Sequence, residues 1–355
     1  MKKTSKILLI CIVVIVLLIT IFFVGCIYLA SPVSKTSKEK TITIKQGSTM
    51  VDIAEMLKEE NLIRNETIFI YYARLKKANN IYAASYYLNQ NMGIDEILDT
   101  LLEGGHNENE IKVTFNEGIN MRKLATIVGE NTNNSYDDVM NKLKDISYIN
   151  SLIEKYWFLT DEVKNKDIYY PLEGYLYPDT YFFSSADVTV EEIFTTMLDE
   201  MGKKLENYKE AIEKSSYSLH ELITLASITQ SEGYNEEDFK NIASVFYNRL
   251  NDSMTLGSCV TSYYGVKKDM TEELLITDIN ASNPYNTRGT NPVAFPIGPI
   301  CNPGLKALDA VLSPITTDYY FFVSDMNHKL YFTKTNAEHE AKIDELIDEG
   351  LWYEW

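Results

Sequence analysis

Thr43-Ile-Lys-Gln-Gly47-Ser-Thr-Met50-Val-Asp-Ile53-Ala54 and Thr114-Phe-Asn-Glu-Gly118-Ile-Asn-Met121-Arg-Lys-Leu124-Ala125 carry one pattern twice. In each, an alternating stretch stops at a glycine, and Met, Ile or Leu, and Ala then recur at spacings of three and one. Alternation predicts a strand, and the later spacing predicts a helix with one apolar side. One recurrence makes two similar strand–helix units, not a solenoid. Working outward, residues 41–45 read as the first strand and 48–60 as its helix. Ile81 to Leu88 reads as a second strand and Ile94 to Leu102 as a short helix. Gly104 to Glu110 has the composition of a boundary loop. Val188 to Ser215 is helical and highly charged, whereas Ser218 to Gln230 is apolar enough to be a buried helix. Asn235 to Leu250 is a further helix, and a Gly/Pro/Asn-rich stretch covers 280–304. The end is regular, with a helix after Asn302-Pro303, strands over 319–323 and 329–332, and a closing helix from Ala337. Helices and strands mix without βαβ alternation, which predicts an α+β fold.

The totals narrow the function classes. The 355 residues are 45% hydrophobic and carry a net charge of −18, the composition of a globular chain and not of a nucleic-acid binder. Residues 1–40 hold six lysines against Glu39, a net of +5, which leaves −23 for the rest of a chain totalling −18. These lysines bracket an apolar run from Ile7 to Ala30. As a helix it spans about 36 Å, enough to cross a hydrocarbon core of about 30 Å. Lys2, Lys3 and Lys6 favour a cytoplasmic N-terminus with the body on the far side of a membrane. Val24-Gly25-Cys26 also fits a lipoprotein cleavage site, and a cleaved signal peptide is the third reading. The run continues past Ile27, which favours an uncleaved anchor. Outside the cytoplasm, Cys259 and Cys301 could form a disulfide or stay as two buried thiols. The four histidines (106, 220, 328 and 339) lack metal-ligand spacing, so no metal or cofactor is expected, and Glu338-His339-Glu340 reads as a helix start.

Chemistry concentrates in Leu225-Ala-Ser-Ile-Thr-Gln-Ser-Glu232-Gly233. Glu232 lies four residues after Ile228 and seven after Leu225, so it extends the apolar side of the predicted helix. A carboxyl group held there loses hydration, and its pKa rises. At an ordinary pKa of about 4.3, roughly 0.2% of a glutamate is protonated at pH 7, whereas at about 6.5 roughly a quarter is. That is the requirement for a general acid. An exposed helix end followed by a glycine cap is the plainer reading of the same residues.

This segment, followed by Ile242-Ala-Ser-Val-Phe-Tyr-Asn-Arg-Leu250, resembles the signature region of the endolytic murein transglycosylases, the YceG-like family. Four more blocks occur in the order that family has them. They are Glu173-Gly-Tyr-Leu-Tyr-Pro-Asp-Thr-Tyr181, Pro284-Tyr-Asn-Thr287, Pro296-Ile-Gly-Pro-Ile-Cys-Asn-Pro-Gly304 and Tyr331-Phe-Thr-Lys-Thr-Asn-Ala-Glu-His-Glu340. The resemblance implies an anchor over 1–30, a tether over 31–40, a LysM-like α+β subdomain over 41–107 and a larger α+β catalytic domain over 108–355. LysM-type modules bind N-acetylglucosamine-containing glycans, and the strand–glycine–helix opening at Thr43 resembles theirs. The resemblance also implies that Glu232 is the catalytic acid, acting on peptidoglycan strands with cell-wall synthases (penicillin-binding proteins) as partners. Many relatives carry a second Glu where this chain has Gln230, and Ser-Asp where it has Ser258-Cys259. These departures leave a second reading open, a catalytically silent glycan-binding scaffold.

Around Glu232 the expected substrate contacts are Gln230, Asn248, Arg249, Tyr285, Asn286, Thr287 and Arg288. Amides and hydroxyls suit N-acetyl groups, and the two arginines suit lactyl or peptide carboxylates. For Arg249 the alternative is an outward helix charge, and for Tyr285-Asn286-Thr287 a turn with a packed tyrosine. Glu173 and Asp179 could assist Glu232 but also read as turn residues, and the tyrosines at 169, 170 and 175–181 either stack on sugars or pack.

Overall fold

The computed structural model describes residues 3–45, 47–78, 81–104 and 110–352, with side chains from residue 13 onward except at 15, 19 and 22. It divides into two compact units, Met1–Glu110 and Ile111–Trp355. The first holds α1 (Lys3–Ala30), β1 (Glu39–Thr43), α2 (Met50–Glu59), α3 (Glu66–Leu75), β2 (Ser85–Asn89) and α4 (Ile94–Glu103). The second begins with β3 (Ile111–Thr114), α5 (Met121–Asn131), α6 (Tyr136–Lys144), α7 (Ile146–Lys155) and β4 (Thr180–Phe183). It continues through α8 (Val190–Glu206), α9 (Lys209–Lys214), α10 (Leu219–Glu232), α11 (Glu236–Asn251), α12 (Cys259–Gly265) and α13 (Ile276–Ile279). It closes with α14 (Leu305–Leu312), β5 (Phe321–Ser324), β6 (Leu330–Thr333) and α15 (Asn336–Asp348). The mixed architecture is α+β. Among the described residues, strands occur as three antiparallel pairs, β1–β2, β3–β4 and β5–β6.

The recurring sequence pattern folds the same way twice. Gly47 and Gly118 both adopt left-handed backbone, φ +86° and +79°, which turns the chain from strand to helix at little steric cost. Thr49 and Asn120 then cap α2 and α5, accepting from the backbone N–H of Asp52 and Lys123. On α2, Ile53, Ala54 and Leu57 are buried; on α5, Met121, Leu124, Ala125 and Val128 are buried, one stripe in each case. In the first unit that stripe joins Ile42, Phe69, Tyr86 and Leu98 in a small core of its own. In the second, α5 joins a larger core built on α8, α10, α11 and α14.

The apolar run from Ile7 lies on a single helix, α1, 28 residues long. Part of it falls on side chains outside the described ones, and among the described residues no helix is long and apolar enough to cross a membrane. Residues 105–109 of the expected boundary loop, with His106, also lie outside the described residues. The disulfide left open between Cys259 and Cys301 is not formed, and both thiols are free.

Candidate active site

Helix α10 is buried on nearly every side, its polar His220, Thr224, Ser227 and Thr229 included. Residues 220 to 229 are buried with the exception of Glu221, because the helix packs against α11, α12 and α14. Ser218 and Glu221 close its N-terminus as a capping box, and Glu232 is its last residue. A carboxylate at a helix C-terminus meets the negative end of the helix dipole, which disfavours its ionised form. Glu232 is half-buried by its surface, but its carboxyl is surrounded, and burial pushes its pKa above the usual carboxylate value. A hydrogen bond from Ser258 and the charges of Arg288 and Arg249 oppose that rise without cancelling it. Ser258 Oγ donates to Glu232 Oε1 at 2.5 Å, a short charge-assisted contact if the carboxyl is ionised.

Ser258 is itself fixed from behind. It is buried, its backbone N–H donates to Thr287 Oγ1 at 3.0 Å, and its carbonyl accepts from Thr261 Oγ1 at 2.7 Å. The two threonine hydroxyls meet at 2.9 Å, and the Thr287 N–H donates to Thr261 Oγ1 at 3.1 Å. Thr287 therefore reaches Glu232 through Ser258.

The other expected contacts divide by what already occupies their polar atoms. Asn286 is buried with its amide fully used. Its Oδ1 accepts from Ser262 Oγ and the Arg288 N–H, and its Nδ2 donates to the carbonyls of Ile279 and Ala281. Tyr285 is fully buried between the rings of Tyr169 and Tyr264, and its hydroxyl accepts from the Tyr169 N–H. Asn248 donates to the carbonyls of Thr317 and Tyr319. Arg249 donates to the carbonyls of Tyr320 (2.6 Å), Leu256 (2.9 Å) and Thr255 (3.3 Å), with its guanidinium 4.9 Å above the Phe321 ring. It ties α11 to the loop before Ser258 and to the start of β5, and acts on Glu232 as a nearby charge. Gln230 Oε1 accepts from the Gly304 N–H ahead of α14. Arg288 is exposed, with its guanidinium against Cys259 Sγ.

Glu173 is the carboxylate that the sequence undervalued. It is 1% exposed, its Oε2 accepts from the Met121 N–H (3.0 Å) and Tyr264 Oη (2.9 Å), and its Oε1 has no partner. Burial pushes its pKa up to about 8, so it is mostly protonated at neutral pH. It holds the first turn of α5 against α12. Asp179 accepts from the Thr180 N–H in its turn, and Tyr175, Tyr177 and Tyr181 are buried in the core. Cys301 is buried beneath the end of α10, donating to the Ser227 carbonyl at 3.2 Å and touching Ser231 Oγ at 3.4 Å. Burial pushes its thiol up to about 12. The sequence missed Ser258 as the partner of Glu232, because 26 residues separate them.

Two cavities are lined by chain neighbours of Glu232, which itself lines neither. Ser231 lines a cavity of about 660 Å³ with Asn120, Arg122, Lys123, Tyr264 and Cys301. Asn235 lines another of about 530 Å³ with Asn241, Tyr319, His328 and Phe332. Among the described residues, no group of three His, Cys, Asp or Glu side chains is placed to hold a metal ion.

Comparison with known proteins gives this arrangement its relatives. The chain is 36% identical over 324 residues to the endolytic murein transglycosylase of Bacillus subtilis (strain 168), covering 90% of this chain and 88% of that one. It is 30% identical over 338 residues to the endolytic murein transglycosylase of Streptococcus pneumoniae serotype 2, covering 61% of that longer protein. A crystal structure of a yceG-like protein from Listeria monocytogenes superposes with a TM-score of 0.62 at 32% identity, covering 86% of this chain and all of that one. The YceG-like family model matches residues 42–345, which takes in both units from β1 to α15. With its fold, its ordered blocks and these relatives in agreement, the chain belongs to the YceG-like family.

Proposed function

We propose that this protein is a lytic transglycosylase acting on peptidoglycan, and that Glu232 is its acid and its base. The observation that carries the reading is the desolvated carboxyl at the end of α10, gripped at 2.5 Å by a buried serine. In its protonated form Glu232 gives its proton to the glycosidic oxygen between N-acetylmuramic acid and N-acetylglucosamine as the bond to C1 breaks. As a carboxylate it then takes the proton of the muramic C6 hydroxyl, whose oxygen bonds to C1. A 1,6-anhydromuramyl end results, the carboxyl regains its proton, and no water is consumed. Ordinary glycosidases need a second carboxylate as nucleophile or base. Here the groups that set the ionisation of Glu232 are one hydroxyl and two guanidinium groups. Arg288, exposed beside them, suits a lactyl or peptide carboxylate of the substrate. Asn248, Arg249, Tyr285, Asn286 and Thr287 act by holding the walls of the site. The cavities lined by Ser231 and by Asn235 offer room near the end of α10 for a strand longer than the cleaved disaccharide.

The same reading places the protein at a membrane, anchored by the run on α1 with its N-terminus in the cytoplasm and its body outside, near the synthases that make nascent strands. The β1-α2-α3-β2 order of the first unit, with antiparallel β1 and β2, supports a LysM-like glycan-binding role there. The test incubates the full-length chain with peptidoglycan and reads the products by mass spectrometry. Anhydromuramyl ends that disappear with Glu232→Gln are the expected result. Reducing ends would identify a hydrolase, and no cleavage by the intact protein, with binding retained, would favour the silent scaffold.

A further inference from the structure

The chain leaving Glu232 is held unusually tightly for an exposed segment. Gly233 is extended, and a Cβ added to it would lie 2.6 Å from Phe239 Cδ1, so the backbone is pressed against α11. Asp238 Oδ2 then accepts from the Tyr234 N–H at 3.2 Å and from Asn235 Nδ2 at 2.7 Å. Asn235 Oδ1 in turn accepts from the N–H groups of Glu237 and Asp238. Between these anchors the Tyr234 side chain stays 56% exposed.

Its ring meets the ring of His328, centroids 4.5 Å apart at 37°. His328 is exposed too, at the turn between β5 and β6, with φ +63°. That left-handed backbone is uncommon for a residue with a Cβ. The turn is built around Asp325, 2% exposed, whose Oδ1 accepts from the N–H of Asn327 (2.8 Å) and Lys329 (3.0 Å) and whose Oδ2 accepts from Tyr331 Oη (3.1 Å). Two rings from separate elements are thus brought together on rigid backbone and left facing solvent. Core packing does not account for the pair, since neither ring is buried.

The adjoining cavity of about 530 Å³ supplies the rest of a recognition surface, with His328, Tyr319 and Phe332 beside Asn241, whose Nδ2 donates to the Glu237 carbonyl and whose Oδ1 is left as an acceptor. Aromatic faces match the C–H faces of a pyranose ring, and an amide oxygen matches its hydroxyl and N-acetyl N–H donors. Two residues of extended chain span at most about 7 Å, so the Tyr234 backbone lies within that distance of the Glu232 backbone. We propose that Tyr234 and His328 form a sugar-stacking platform that binds the glycan strand beside the cleaved bond, an inference that rests on the glycan-cleaving reading of Glu232. Binding energy gained there orients the strand over the acid.

The test uses the full-length Glu232→Gln protein, which cannot consume its ligand, titrated calorimetrically with peptide-free glycan strands released from peptidoglycan by an amidase. Adding Tyr234→Ala is expected to weaken binding about tenfold, adding Tyr234→Trp to keep it within about twofold, and adding His328→Ala to cost about threefold. In the otherwise unaltered enzyme, Tyr234→Ala is expected to lower kcat/KM about tenfold, chiefly through KM, and Tyr234→Trp to restore it. Strand binding within twofold after Tyr234→Ala overturns the platform alone. Failure of the Glu232→Gln protein to bind any strand overturns the platform together with the glycan reading.

Discussion

At the scale of single residues, the candidate site is one carboxyl group whose ionisation is set by opposing neighbours. Burial at the end of α10 raises the pKa of Glu232, and the Ser258 hydroxyl lowers it by stabilising the charged form. Ser258→Ala removes the lowering contribution, so the pKa rises further and the protonated acid persists to higher pH. The alkaline limb of the kcat/KM profile is expected to move upward, while the maximum falls about tenfold because the carboxyl is less well oriented. An unmoved limb would mean that the hydroxyl does not govern the proton. Glu232 was legible in the sequence because helical spacing puts it on the apolar side of a run ending in glycine. Ser258 was not, since its role exists only where the loop before α12 meets the end of α10. Spacing also could not tell that Tyr285 and Asn286 face inward, because a Pro-Tyr-Asn-Thr turn reads alike in either orientation.

At the scale of elements, α5 and α12 are joined through a buried acid. Glu173 accepts from the first N–H of α5 and from Tyr264 on α12, at a pKa raised to about 8 from an ordinary 4.5. The folded chain therefore keeps a proton that the unfolded chain releases, and stability falls as pH rises from about 4.5 to about 8, levelling off above. Glu173→Gln keeps an acceptor for both donors and removes the titration. Its thermal midpoint is expected to vary less than that of the parent chain between pH 5 and 8, reflecting a loss of pH-dependent unfolding free energy of roughly a few kcal/mol across the window. Midpoints that run parallel would show that Glu173 does not titrate there. The elements themselves were readable where order is local. The two strand–glycine–helix units, α10, α11 and α14 follow from spacing and caps. The pairing of β3 with β4 did not, since Val113 meets Tyr181 across most of the intervening chain. The short helices α3, α6 and α7 also went unread.

At the scale of the molecule, charge is divided along the chain. The first 40 residues carry +5, and the remainder of the −18 total carries −23. A body so acidic gains little from general attraction to anionic lipids or wall polymers, so any hold on a membrane has to come from the N-terminal run. Deleting residues 1–30 is expected to move the protein from the membrane pellet to the soluble fraction of lysed cells. Recovery of both forms in the same fraction would count against the anchor. On the proposed reading, recognition of a wall polymer would fall to neutral sugar contacts and to a few placed cations such as Arg122, Lys123 and Arg288.

Cys301 offers a clock for the site. Its thiol is sealed beneath the last turn of α10 against Ser227 and Ser231, with ionisation pushed up to about 12, whereas Cys259 is partly exposed beside Arg288. An alkylating reagent meets Cys301 chiefly when that turn lifts, because the thiolate is the reacting form and the residue is only 2% exposed where it lines the cavity. Its labelling rate, followed peptide by peptide with Cys259 as internal reference, therefore measures how often the end of the helix breathes. A ligand that clamps Glu232 in place would slow that rate without touching the cysteine.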